Sequence, residues 1–179
     1  MSSIVVDITN AVTAEIRTAV AADELLTALD DVEAGTAWAG RRRELAPANG
    51  EAKTNPQVQV ALLDWRRKPH ARGRWQVDVA LEVGLRQLAP DDERDADTGE
   101  VSDATVERLV SAIDELWDFF APRRPDRNGR RLSSIPDAAW RPNDADDGWT
   151  PITIDWEALA SRKQFVGTFE LYYTVSRDE

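Results

Sequence analysis

Two stretches alternate apolar and polar residues for longer than any helix could. In "RWQVDVALEVGLRQL", Trp75, Val77, Val79, Leu81, Val83 and Leu85 share one face, and Gln76, Asp78, Ala80, Glu82 and Arg86 share the other. In "QFVGTFELYYTV", Phe165, Gly167, Phe169, Leu171, Tyr173 and Val175 share one face, opposite Val166, Thr168, Glu170, Tyr172 and Thr174. Successive side chains on a strand point to opposite sides, so both stretches demand a sheet with one buried and one wet face. The second has no neighbour in sequence of equal length, which predicts that it inserts beside the first.

A third alternating run, "QVQVALLDW", sets Val58, Val60 and Leu62 against Gln57, Gln59 and Ala61. A basic turn of roughly eight residues, "RRKPHARG", joins it to the Trp75 strand, and an antiparallel hairpin is the economical connection. The buried face needs a roof. "VSDATVERLVSAIDELWDFF" supplies Val106, Leu109, Val110, Ile113, Leu116, Trp117 and Phe120 at helical spacing, with Ser102 or Asp103 as cap and Pro122 and Pro125 as stops. Burying such side chains contributes about 1.5–3 kcal/mol each before ordering entropy is subtracted. An earlier helix, capped by Asp7, places Ile8, Val12, Ile16, Ala19 and Val20 on one side, and a second helical piece is predicted at "DELLTALDD".

Weaker signals fill in the rest. Thr36, Trp38 and Leu45 in "EAGTAWAGRRREL" predict a first strand, weakened by Gly40. A short element is expected around residues 135–140, and an edge strand at 150–156 carries Pro151 near its start. With 179 residues and 42% hydrophobic content, one core and one domain are expected. The resulting fold class is α+β: a mostly antiparallel sheet with two main helices on one face, and charged loops at about 46–56, 88–101 and 122–148.

Composition removes many chemistries. The chain has no cysteine, so disulfides, thiol nucleophiles and cysteine-bound metals are out. His70 is its single histidine and lies in the basic turn, where a surface role without function is the expectation. No glycine-rich phosphate loop and no nucleophile elbow occurs. With Gly99 at position six of a calcium loop, Arg94, Ala96 and Thr105 would fall at positions one, three and twelve, where they cannot ligate; "NDADDG" puts Ala145 at position three and fails too. No catalytic, cofactor-binding or metal-binding residues are therefore assigned. No apolar run is long enough for a membrane span and no secretory signal is present, so a cytoplasmic protein without membrane contact is expected. A formal net charge of −11 argues against dedicated or sequence-specific nucleic-acid binding.

The order of segments carries one resemblance. "DITNAVTAEIRTAV", "AWAGRRREL", "VQVALLDW", "WQVDVALEVGL", "VERLVSAIDELWDFF", "SSIPDAAW" and "RKQFVGTFELYYTV" together resemble the tail-completion and tail-terminator-like proteins of long-tailed bacteriophages and prophages. The likeness spans nearly the whole chain and lies in segment order and texture rather than in a signature motif. It implies a non-enzymatic virion protein, made in the host cytoplasm. Such a protein forms a homo-oligomeric ring, commonly a hexamer, at the head-proximal end of the tail. Its partners there are further copies of itself, the tail tube protein, whose growth it stops, and the head connector protein. Alternatives are a head-side connector and a bacterial ligand- or peptide-binding module.

A ring needs contacts that close. Those expected here are the strand edge at 57–64 and the basic residues Arg41, Arg42, Arg43, Arg66, Arg67, Arg123, Arg124, Arg127, Arg130 and Arg131. The competing reading of the same charges is a solvated surface that keeps the protein soluble.

Overall fold

Helix α1 (Ile4–Ala21) begins three residues before the expected cap: Ser3 holds the N-cap position without a side-chain bond, and Asp7 lies in the first turn. The computed structural model describes residues 3–37, 54–71, 73–121, 129–141 and 152–178. Beyond α1 the elements run β1 (Glu33–Ala37), β2 (Gln57–Ala71), β3 (Arg74–Leu88), α2 (Asp103–Phe120), β4 (Ala139–Arg141), β5 (Thr153–Ile154), α3 (Trp156–Arg162) and β6 (Gln164–Asp178). The six strands form one sheet in the order β1-β2-β3-β6-β4, with β5 also on β6. Among the described residues only the β1–β2 pair is parallel. The mostly antiparallel α+β architecture read from the sequence is the one observed.

β6 does insert beside β3. Their antiparallel register is unbroken from Arg74 opposite Asp178 to Leu88 opposite Gln164, so the two apolar faces line up rung by rung. Val77, Val79, Leu81, Val83 and Leu85 from β3, with Phe165, Phe169, Leu171, Tyr173 and Val175 from β6, are all buried in one cluster with the inward faces of α1 and α2. On α2 the buried residues are Thr105, Leu109, Ala112, Ile113, Leu116 and Phe120, which leaves Val106, Val110 and Trp117 on the margin of the stripe. Trp117 still contributes, meeting Phe169 edge-on with ring centres 5.4 Å apart. Ser102 caps α2 by accepting from the Thr105 N–H at 3.3 Å. Directly below Ile113, the sheet carries Gly167, where an added Cβ would sit 3.2 Å from Ile113 and 3.1 Å from the Phe165 ring. Glycine there lets helix and sheet approach.

Besides the cap of α1, four expectations are corrected. "DELLTALDD" is no helix: α1 ends in a Schellman turn, with Asp23 N–H on the Val20 carbonyl, Glu24 N–H on that of Ala19, and Asp23 left-handed. Leu26 and Asp31 are left-handed as well, so the helical spacing of Leu25, Leu26 and Leu29 buries three leucines in a turn. The first strand is β1 at Glu33–Ala37, earlier than the Thr36-to-Leu45 reading, whose Trp38 and Leu45 lie outside the described residues. Of the strand expected at 150–156, residues 150 and 151 lie outside the described residues; in the rest only Thr153–Ile154 is strand, because Asp155 accepts from the Ala158 N–H at 2.8 Å and opens α3.

The fourth correction concerns the hairpin. The "basic turn" is strand: β2 runs to Ala71 and β3 starts at Arg74. Its register slips at two places, between Pro69 and Ala71 at the hairpin end and, mid-strand, between Leu62 opposite Leu81 and Asp64 opposite Ala80, which makes Leu63 an inserted residue. A bulge reverses which side chains face the core. Before it Val58, Val60 and Leu62 oppose Leu85, Val83 and Leu81; after it Trp65, Arg67 and Pro69 oppose Val79, Val77 and Trp75. Asp64, Arg66 and Lys68 thereby stay on the wet face. An unbulged strand would turn those three charges toward the core.

The segment entering β4 depends on another close approach. Gly129 is buried, and an added Cβ there would lie 2.6 Å from the Trp140 ring and 2.8 Å from the Phe120 carbonyl oxygen. The second contact is to backbone and cannot rotate away. Gly129→Ala is expected to destabilise the fold by about 1–3 kcal/mol through overpacking, read as a lower urea midpoint with an altered Trp140 environment in fluorescence.

Candidate functional site

The ten arginines expected at an interface separate by environment. Arg41, Arg42, Arg43, Arg123, Arg124 and Arg127 lie outside the described residues. Arg66, Arg67 and Arg131 are exposed. Arg130 is partly exposed as well, but unlike Arg131 in the same basic run its side chain is engaged within the fold. Its Nε donates to Glu15 Oε2 at 3.1 Å, its guanidinium lies 3.8 Å over the Phe119 ring, and its backbone N–H donates to the Phe120 carbonyl at 2.8 Å. The Tyr173 hydroxyl donates to its carbonyl at 3.2 Å, and the Ser133 N–H donates to Glu15 Oε1 at 2.7 Å.

This cluster ties α1, the end of α2 and β6 to residues 130–135, 115 or more positions from Glu15. Leu132 and Ile135 seal it with apolar burial. Burial alone would raise the Glu15 carboxyl, but the Ser133 hydroxyl and N–H and the Arg130 guanidinium favour its anion and hold it below the ordinary value. Burial pushes the Tyr173 hydroxyl upward, and the Glu15 charge pushes it further. Tyr173 therefore stays protonated and serves as a donor.

The wet face of the sheet is also organised. Asp78 accepts from Gln76 Nε2 at 2.7 Å and Thr174 Oγ1 at 2.7 Å, and pairs with Lys68 at 2.9 Å. Desolvation works against its charge, yet these three donors keep its carboxyl below the usual range. Tyr172 donates to Glu170 beside it. The acidic loop after β3 is tied down as well: Glu93 takes Arg108 of α2 through both oxygens at 2.8 Å, and Arg94 donates to the Ala89 carbonyl. Asp95 is lowered by the backbone N–H groups of Thr98 and Asp97 in a local turn that uses Gly99 at φ 67°. The other acidic run, "NDADDG", lies outside the described residues. Among the described residues, no three histidine, aspartate or glutamate side chains gather as a metal site, and no helix is long and apolar enough to cross a membrane.

The most accessible feature is the outer half of β2. β1 covers only residues 57–61, so part of the edge expected to be free is occupied; beyond Ala61 no described strand pairs with that side. Residues 63–70 are exposed. Leu63 is 41% exposed and Trp65 53%, two of three large hydrophobic side chains so placed among the described residues. Trp65 was not singled out by the sequence, where it reads as the end of an alternating run. Arg67 lies 4.3 Å over the Trp75 ring, Arg66 pairs with Asp64 at 3.5 Å, and His70 is exposed on the same strand. This strip holds three cations and one carboxylate in a chain of net charge −11.

A second surface has the opposite sign. An open, shallow cleft between the turn after α1 and the outer side of α2 is lined by Glu24, Leu25, Asp114, Glu115, Asp118 and Phe119. Glu115 accepts from the Leu26 N–H at 3.0 Å. Glu24, Asp114 and Asp118 point outward and, among the described residues, have no cationic partner.

A scan against models of known protein families finds no match, and no curated protein matches the chain.

Because Glu15 is held below 4.5, its contribution is complete above that pH and is lost as pH falls through the depressed folded-state value. Glu15→Gln should cost about 1–3 kcal/mol at neutral pH, since it weakens charge-assisted hydrogen bonds. It should also flatten the acid limb of stability, checked by urea midpoints measured from about pH 7 down to about pH 3.

Proposed function

We propose that this chain is a non-enzymatic assembly protein of a long-tailed phage or prophage. In this reading it is a tail terminator that forms a ring at the head-proximal end of the tail, closes the tail tube and meets the head connector. The observation that carries the reading is the outer half of β2, a long strand whose far side is unpaired among the described residues and which exposes Leu63 and Trp65 between charges. A strand that only completed a core would have no use for an exposed tryptophan beyond the sheet's covered width. Interfaces, by contrast, are enriched in tryptophan and arginine.

The rest of the described surface agrees with docking. The polar groups of the wet face satisfy one another rather than converging on an open cavity, and the part-buried ion pair of Glu15 with Arg130 joins secondary-structure elements. The order and texture of segments that resemble tail terminators cover the same α+β sheet and helices described above.

The purified protein is expected to form closed rings by negative-stain imaging, with a mass by light scattering equal to a whole number of subunits above two. A monomer that persists across protein concentrations and in the presence of tail tube protein would end this reading.

A further inference from the structure

Building on the ring proposed above, we infer that the outer half of β2 on one copy docks, through its side chains, into the acidic cleft beside α2 on the next copy. The occupant of each surface is thus a second copy of this chain.

The edge itself is guarded against strand addition. Pro69 has no N–H to donate, the Leu63 bulge breaks the regular backbone spacing, and Arg66, Arg67 and Lys68 place three cations in a row. These are devices that keep exposed edges from pairing. A partner must therefore read side chains. The bulge decides which ones: it turns Trp65 and Arg67 to the helix side of the sheet, where Trp65 faces Val79 across the strand yet remains 53% exposed. A large aromatic flanked by arginine is the composition of an interface anchor.

Charge selects the counterpart. Copies with a net charge of −11 repel one another, so association requires patches of opposite sign. The β2 strip keeps a net positive charge, with Arg66 paired to Asp64 and Lys68 to Asp78 but Arg67 in no ion pair among the described residues, and the cleft presents Glu24, Asp114 and Asp118 beside the apolar Leu25 and Phe119. Two β2 strips facing each other would oppose like charges. Because the two patches are different, the contact is head-to-tail and closes into a ring at the correct rotation.

The test uses two charge-reversed proteins, Arg66→Glu with Arg67→Glu, and Asp114→Arg with Asp118→Arg. All four residues are exposed, and the folding of each variant is to be checked by circular dichroism. Each variant alone should need at least about tenfold more protein than wild type to assemble. An equimolar mixture should regain assembly, because each edge then meets a cleft of opposite sign in alternation. Wild-type rings with unaffected variants, or a mixture that stays dissociated, would overturn this contact while leaving the ring intact. A wild-type protein that never assembles would instead defeat the ring reading, and this contact with it. The absence of native cysteine permits an independent check. Ser111 also lines the cleft, and Leu63→Cys combined with Ser111→Cys should give a ladder of covalent oligomers on oxidation. Rapid covalent dimers from Leu63→Cys alone would point to β2-to-β2 contact and overturn the proposal.

Discussion

The fifteen-rung pairing of β3 with β6 is the constraint on which the rest of the molecule depends. It aligns two rows of apolar side chains separated by about half the chain, and no single row could bury itself. α2 can lie flat on β6 because Gly167 removes a side chain beneath Ile113, and α1 then covers the sheet toward β1 and β2. β4 and β5 both hang on the far side of β6, so they too exist only once that strand is in place. Joining distant strands carries a loop-closure cost that local hairpins avoid, and here the shared apolar face offsets it. The Glu15–Arg130 cluster is a second long-range tie, and it stands on the first through Tyr173 of β6.

Legibility followed the persistence of period. β3 and β6 were readable from end to end because their alternation runs without interruption and one face is buried, save for the half-buried Trp75 at the start of β3. α2 was readable for the same reason at helical period, although its buried face is rotated toward Thr105 and Ala112, small residues that carry little hydrophobic signal. Where a single residue changes the period, the reading failed. Leu63 shifts the alternation of β2 by one, after which Trp65, Arg67 and Pro69 take the inward phase, and the polar run looked like a turn. Leu25, Leu26 and Leu29 keep helical spacing, yet three left-handed residues fold them into a turn that no pattern of apolar positions encodes. α3 did carry a signal, with Asp155 as cap, Glu157 in the first turn and Arg162 in the last, but Ile152, Ile154 and Trp156 imitate a strand just ahead of it.

The candidate surface was only partly legible because charge in sequence does not reveal whether a charge is already used. Arg130 and Arg131 are adjacent and look equivalent. One is locked to Glu15 and stacked on Phe119, the other projects outward, and the difference comes from a carboxylate on the first helix. Acidic residues follow the same logic: Glu93 is joined to Arg108 and Glu115 to the Leu26 N–H, whereas Asp114 and Asp118 on the same helix face outward. Subtracting the internally satisfied charges leaves a much shorter list than composition suggests, and that remainder is where a partner can gain specificity.

The division of β2 shows how one strand serves both purposes. Up to Ala61 it is flanked by β1 and β3 and buries Val58 and Val60 completely; beyond that, among the described residues, it keeps only β3. The bulge lies at the boundary. Inserting one residue there keeps the charged positions Asp64, Arg66 and Lys68 in water, lets Lys68 reach Asp78, and frees Trp65 on the opposite side. A regular strand would have had to choose between burying cations and truncating the hairpin. The irregularity that defeats a periodic reading is therefore the same feature that allows an exposed, charged and aromatic arm to extend from a well-packed sheet without disturbing its core.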